Sequence, residues 1–340
     1  MRIAFLLEST CLCGGVKVVL RQAEALGKRG YHVTVISNDS YPDWFEGAVG
    51  YQRGDPFDRA AAQGFDRIIC TTPRLVAAQY DPGQNRGFLW QLIQGYEGEI
   101  PECRNMVPEI QDAYSLPVPA MTVSQRLADY LRGLFPERNF YSVGQGIETN
   151  HFYPPADLPL SNEVRNLILV GPLTISLKQI RTGLKAYVLA RKKHSGLRLI
   201  RITSVDTRAE EEEITGKIAE YHVHVSPARV GDIFRNSRGM LLFPSGPEEG
   251  FGLPPLEAMA CGLPTVLTRI PSLVEISSPA DFAVFVNHDS AGSMAEGICE
   301  LIEKSSLRKY LVSRGAEVVS GFSYEDVAEK MESAFKYAGQ

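Results

Sequence analysis

The chain has 340 residues, 44% of them hydrophobic and 22% charged, with 35 basic against 40 acidic side chains and a net charge of −5. That length exceeds one hydrophobic core and predicts two domains of roughly 150 residues each. Residues 1–150 hold 14 basic and 17 acidic residues and the remainder 21 and 23, so neither half is basic and a nucleic-acid partner is not expected.

No apolar run approaches the length of a membrane span, and "MRIAFLLEST" meets Glu8 before a secretory core is complete. The expectation is a cytoplasmic protein. Cysteines stand at 11, 13, 70, 103, 261 and 299, with spacing that fits neither a disulfide framework nor a CxxC pair, and reduced, buried thiols are expected.

In chain order, "RIAFLLE" reads as a buried strand, "CLCGG" as a tight loop, and "VKVVLRQAEALGKR" as a helix stopped by Gly30. "HVTVIS" is a second strand, and strand–helix–strand predicts a parallel sheet. "FDRIICT" and "GFLWQLIQ" are further strands. "PVPAMTVS" leads into a helix over "QRLADYLRGLF", with Ser124 as its N-cap. The Gly- and Pro-rich stretch "NFYSVGQGIETNHFYPPADLPLSN" predicts a linker around 150–160. Beyond it strands and helices alternate again: "NLILVGP", "GLKAYVLARKK", "LRLIRIT", "EEEEITGKIAEY", "VHVSP", "VGDIFRNS", "GMLLFPS" and "LPTVLTRI". The C-terminal part is helical. The acidic run Glu210 to Glu213 is expected to be a solvated helix face.

"GMLLFPS" is nearly all apolar, as a central parallel strand should be, and ligands bind beyond the carboxyl ends of such strands. The turn "GPEEGFGL" leaves that end. Pro254 or Pro255 suits the first helical position, Glu257 falls in the first turn, and Gly262 suits the helix stop. Glycines let N–H groups approach a ligand and the helix start adds partial positive charge, a combination suited to an anion. Gly15, at the start of a helix after the first strand, has the same rationale. There is no GxxxxGK[ST] and no GxGxxG after the first strand, so a P-loop nucleotidase and dinucleotide oxidoreduction lack support. The six histidines form no metal constellation.

"EGFGLPPLEAMACGLP" resembles the signature of family 4 retaining glycosyltransferases, whose E-x7-E pattern Glu249 and Glu257 match. "GGVKVVLRQAEALGKRGYHVTVIS", "TVSQRLADYL", "SVGQGIETNHFYP", "LILVGPLTISLKQ" and "FSYEDVAEKMESAF" resemble further segments of the family, in the same order. The resemblance implies the GT-B fold, an α/β architecture of two Rossmann-like domains with parallel sheets facing across a cleft. Residues 1–153 would form an acceptor-side domain and 154–320 a nucleotide-sugar-binding domain, with a last helix in 321–340 returning to the first.

The implied activity is transfer of a hexose or deoxyhexose from a UDP-, GDP- or dTDP-linked donor to an acceptor hydroxyl. Anomeric configuration is retained and no metal or other cofactor takes part. Glycan or lipid-linked acceptors of surface polysaccharide or glycoconjugate synthesis are implied, with any membrane contact peripheral. By position, Lys178 and Glu249 would be catalytic. Glu257 would hold the ribose, Gly250, Phe251, Gly252 and Leu253 would line the donor, and Gly14 and Gly15 would approach it from the first domain. Two places depart from the family. Pro172 stands where Arg is usual, leaving Lys178 with Arg181 as a compensating cation. "QGYEGE" lacks the usual His, leaving Gln94, Tyr96 and Glu97 on the acceptor side. Two alternatives remain open: an epimerase or phosphorylase of the same fold, and a weakly catalytic nucleotide-sugar-binding partner.

Overall fold

The structure is a computed structural model that describes residues 1–83, 88–156 and 164–337. The chain divides into two compact units, residues 1–146 with 322–340, and residues 147–321. The break at Gly146–Ile147 lies a few residues before the expected linker, because Phe152 is buried against Phe234 of the second unit.

In the first unit, strands β1 (Arg2–Leu6), β2 (His32–Ser37), β3 (Gly50–Arg53), β4 (Arg67–Cys70), β5 (Leu89–Ile93), β6 (Ala120–Thr122) and β7 (Phe140–Ser142) form a parallel sheet in the order β3-β2-β1-β4-β5-β6-β7. Its helices are α1 (Gly14–Lys28), α2 (Pro73–Gln79), α3 (Val107–Ser115) and α4 (Gln125–Leu134). Strand β7 lies inside the stretch read as linker, the strand being only partly buried. Gly30, at φ 92, ends α1 with N–H bonds from Gly30 to Gly27 and from Tyr31 to Leu26, a left-handed stop that only glycine adopts freely. Ser124 caps α4 as expected, its hydroxyl accepting from the Leu127 N–H.

The second unit repeats the design. Strands β8 (Asn166–Val170), β9 (Arg198–Thr203), β10 (Glu220–Val223), β11 (Gly239–Phe243), β12 (Thr265–Thr268) and β13 (Val284–Val286) run parallel in the order β10-β9-β8-β11-β12-β13. Its helices are α5 (Ile180–Lys193), α6 (Arg208–Thr215), α7 (Pro227–Ser237), α8 (Leu253–Ala260), α9 (Pro271–Val274), α10 (Ala291–Glu303) and α11 (Ser305–Val319). All five residues of β11 are buried, as its apolar run requires.

The last helix, α12 (Tyr324–Tyr337), belongs to the first unit. Val327, Ala328, Met331, Ala334 and Phe335 join the core with α1 and β5, and the Phe335 ring meets Trp90 edge-on at 5.3 Å. Arg29 grips Glu332 with two bonds of 2.7 Å.

Both sheets reverse their strand order once, between β1 and β4 in the first unit and between β8 and β11 in the second. Neighbouring connections there run to opposite faces, leaving a crevice beyond the strand ends. Topology alone therefore nominates the loops after β8 and β11, and those after β1 and β4, as ligand sites.

Candidate functional site

The loop after β8 carries Lys178 and the loop after β11 carries Glu249. The structure brings them together: Lys178 Nζ lies 2.6 Å from Glu249 Oε2. The Ser245 hydroxyl donates to the same oxygen at 2.7 Å. The Lys178 ammonium also sits 5.6 Å from the centre of the Phe243 ring, within cation–π range. Glu249 is buried, whereas about a quarter of the Lys178 side chain stays in solvent.

Further bonds fix the two loops to each other and to their neighbours. The Gly246 N–H donates to Leu177 O at 2.7 Å. Gln179, at φ 46, donates through Nε2 to Asp289 at 2.6 Å and accepts the Asp289 N–H at 3.0 Å. Ser245 and Thr268 bond reciprocally across β11 and β12. Lys178 thus rides on a short 3-10 turn tied on both sides.

Helix α8 begins directly after the Glu249 loop. Gly252 caps it at φ 80, and a Cβ there would stand 3.0 Å from Leu273 and 3.1 Å from Phe243. Leu253 is therefore the first helical residue, with Pro254 and Pro255 second and third. Glu257 accordingly falls in the second turn, not the first as its sequence position suggested, and it is buried. Gly262, at φ 74, stops the helix as expected, with N–H bonds from Gly262 to Met259 and from Leu263 to Ala258. Burial pushes the neighbouring Cys261 thiol up to about 12, with the Arg235 charge lowering it and the Glu257 charge raising it. Gly250, Phe251 and Leu253 are half-buried along the turn between Glu249 and the helix. Glu248 is half-buried as well, whereas Glu249 points inward.

Arg181 does not join this cluster. Its guanidinium pairs with Glu210 on α6 and about half of it is exposed, because its place on α5 turns it toward that helix. A cation that the sequence reading passed over lies beneath the loop instead. Arg201 on β9 is fully buried and holds both oxygens of Glu211, at 2.6 and 2.8 Å. It also donates to Leu169 O at 2.6 Å and Gly171 O at 2.8 Å, fixing the point where β8 becomes the Lys178 loop. The Thr207 and Tyr221 hydroxyls also donate to Glu211, at 2.9 and 3.3 Å. The run Glu210 to Glu213 is therefore not a uniformly solvated face: α6 turns Glu211 inward. The signal was a lone arginine inside the apolar strand "LIRIT", since a charge in such a strand must find a partner.

In the first unit, Gly14 opens α1 one residue earlier than expected. The loop before it leaves β1 at the switch point. Gln94, just past β5, donates to Gly15 O at 3.0 Å, so these two predicted site residues do meet. Tyr96 and Glu97 turn elsewhere. The Tyr96 ring is buried edge-on against Tyr114 at 5.1 Å and Phe135 at 6.0 Å. Glu97 accepts the Tyr114 hydroxyl at 2.7 Å, and burial pushes its carboxyl above the ordinary value, against the pull of Tyr114 and of the Arg138 charge. The aromatic cluster thus absorbs two residues assigned to the acceptor side.

The cysteines divide. Cys70, Cys261 and Cys299 are buried as expected, whereas Cys11 and Cys13 are exposed. Among the described residues no group of three or more His, Cys, Asp or Glu side chains is arranged to hold a metal ion, and no helix is long and apolar enough to cross a membrane.

Residues 162–318, which contain Lys178, Glu249 and Glu257, match the family model described as glycosyl transferases group 1. An 88-residue stretch is 32% identical to O-antigen chain mannosyltransferase B of Escherichia coli, covering 26% of this chain and 23% of that protein. The alignments span between 23% and 60% of the lengths of the curated relatives matched. Whole-chain likeness is structural. Sucrose-phosphate synthase from Thermosynechococcus elongatus superposes with a TM-score of 0.79 at 18% identity, covering 99% of this chain and 98% of the other. HepE of Anabaena, solved in complex with UDP-glucose, gives 0.80 at 13% identity, covering 99% of this chain and all of that one. Over residues 162–318, on a GT-B fold of two Rossmann-like domains, this chain carries the sequence pattern of the group 1 glycosyl transferases.

Proposed function

We propose that the protein is a glycosyltransferase that moves a sugar from a nucleotide-sugar donor to an acceptor hydroxyl, with retention and without a metal. The observation that carries this reading is the meeting of Lys178 and Glu249 at the sheet's switch point, beside the start of α8. A departing nucleoside diphosphate gains negative charge as its bond to the sugar breaks. An ammonium and the unpaired N–H groups of a helix start stabilise that charge where it develops. The donor diphosphate would take Lys178 from Glu249 in a charge-assisted bond. Glu249 would then be released to accept from the hydroxyls of the transferred sugar. Glu257, in the second turn of α8, would serve the ribose.

Retention and membership of family 4 rest on the Glu249–Glu257 spacing. Gly14 and Gly15 would serve the donor and Gln94 the acceptor side, and the first unit would receive a glycan or lipid-linked acceptor. UDP-, GDP- and dTDP-linked hexoses and deoxyhexoses are all candidate donors. A cytoplasmic place with peripheral membrane contact suits such acceptors, and surface polysaccharide synthesis is the context the relatives suggest.

A second reading, a nucleotide-sugar binder of low turnover, is favoured by one observation: neither Arg181 nor Arg201 joins Lys178 at Glu249. One experiment tests both. UDP-, GDP- and dTDP-sugars are screened by thermal shift and by donor hydrolysis, with Lys178→Ala and Glu257→Ala alongside. Transfer or hydrolysis of a donor that also raises the melting temperature supports the enzyme, and a shift without turnover over many acceptors supports the binder. If both variants respond to the donor as the parent does, the site is misassigned.

A further inference from the structure

The loop between β1 and α1 carries two exposed thiols separated by one residue, Cys11 and Cys13. Their sulfurs lie 4.0 Å apart. The turn that holds them is pinned at both ends. Before it, Thr10 donates its N–H to Asp39 at 2.8 Å and its hydroxyl to Ser40 O at 3.0 Å, while Trp44 donates to Thr10 O at 3.0 Å. After it, Cys13 O accepts the Lys17 N–H at 3.1 Å as the first bond of α1. The fold has thus already met most of the entropy cost of bringing these sulfurs together, and two groups so held react as though at very high concentration.

We propose that Cys11 and Cys13 are an oxidisable dithiol, a modification site that a peroxide closes to an internal disulfide and a small thiol reopens. Although Cys13 as a residue is exposed, surrounding protein desolvates its sulfur and pushes its pKa up to about 11, so it is protonated at neutral pH. Cys11 is therefore the attacking sulfur. Its thiolate displaces hydroxide from hydrogen peroxide and becomes a sulfenic acid. The Cys13 sulfur then attacks the Cys11 sulfur, an S–S bond forms, and the sulfenic oxygen leaves as water with the Cys13 proton. The protein loses two electrons and two protons, and the peroxide is reduced to water. Exposed disulfides in tight rings are the readily reduced kind, which makes the step reversible. Cys70, Cys261 and Cys299 are buried away from the oxidant and act as internal controls.

The consequence for ligand binding rests on the function proposed above; the chemistry does not. Cys13 is the residue before Gly14 and Gly15, so closing the ring fixes the turn from which α1 presents its N–H groups.

The full chain is reduced, desalted, treated with one equivalent of hydrogen peroxide, alkylated and digested with trypsin. The peptide from Ile3 to Lys17 contains both cysteines and no other. The expected result is loss of two hydrogens from this peptide, reversed by dithiothreitol and absent in Cys11→Ser, with Cys13→Ser accumulating a dimedone-trapped sulfenic acid on Cys11. A peptide that stays fully alkylated while Cys103 reacts, or disulfides only between chains, overturns the proposal. In a second arm, the donor-induced thermal shift of the oxidised parent should fall and return with dithiothreitol, while Cys11→Ser ignores peroxide. An unchanged shift in a fully oxidised sample overturns the ligand-binding consequence. If no nucleotide-sugar shifts the reduced chain, the proposed function fails, while the mass readout still decides the dithiol.

Discussion

Lys178 Nζ and Glu249 Oε2 stand 2.6 Å apart although 71 positions separate them in the chain, and their contact joins the loops that leave β8 and β11. The bond also places a cation and an anion at the mouth of the crevice before any ligand arrives. Lys178→Ala strands a buried carboxylate and removes the proposed phosphate partner. A charge-assisted hydrogen bond is worth about 1.5–3 kcal/mol, so donor affinity should fall about 10- to 100-fold. Glu249→Gln keeps the shape and frees the ammonium. It should preserve or tighten binding of the nucleoside diphosphate alone while lowering turnover of the intact donor. Calorimetry with diphosphate and with donor separates the two, and equal losses for both ligands in both variants would contradict the division of roles.

The buried Arg201–Glu211 pair supports the Lys178 loop from below. Removing one member leaves an uncompensated charge in a fully buried place, at a cost of about 3–5 kcal/mol. Arg201→Met and Glu211→Leu should each lower the unfolding free energy obtained from urea titration by that amount, and the double variant should recover most of the loss. Additive losses in the double variant would show that the two charges do not stabilise each other.

Gly252 caps α8 in a left-handed conformation with Leu273 and Phe243 packed where a side chain would go. Gly252→Ala should cost about 1–3 kcal/mol from backbone strain and crowding. It should also weaken the donor response, because the N–H groups at the start of α8 are re-aimed. A melting temperature and donor shift both equal to those of the parent would remove Gly252 from the account.

Burial raises the Glu97 carboxyl above its ordinary value of 4.5. The folded state therefore favours the protonated acid. That contribution is complete below the unfolded pKa and is lost as pH climbs through the higher folded value. Glu97→Gln holds a neutral partner for Tyr114 at every pH. Its melting temperature relative to the parent should rise as pH climbs above 4.5. Parallel curves over that range would mean that Glu97 titrates normally.

The parallel α/β character, the helix stops at Gly30 and Gly262 and the Ser124 cap were legible because each depends on residues close together in the chain. "GMLLFPS" is nearly all apolar because β11 is buried along its whole length, and Gly30 takes the positive φ at the end of α1 without the strain another residue would carry. The short strands β3, β7 and β13 escaped notice because, unlike the equally short β4, β6 and β12, they are only partly buried. Glu257 was misplaced by a turn because Gly252, not a proline, sets the start of α8.

Which side chains meet was a different matter. The acidic run on α6 reads as solvent-facing until the helix sets Glu211 against Arg201, and "QGYEGE" reads as a site until Tyr96 and Glu97 close on Tyr114. Arg181 reads as a spare cation until α6 presents Glu210 to it. Local sequence determined the backbone signals and the chemical kinds of the candidate residues, because capping, turn formation and hydrophobic period act over a few positions. Tertiary structure alone decided that Lys178 meets Glu249 and that Cys11 and Cys13 lie in the open, because burial and pairing depend on elements far apart in sequence.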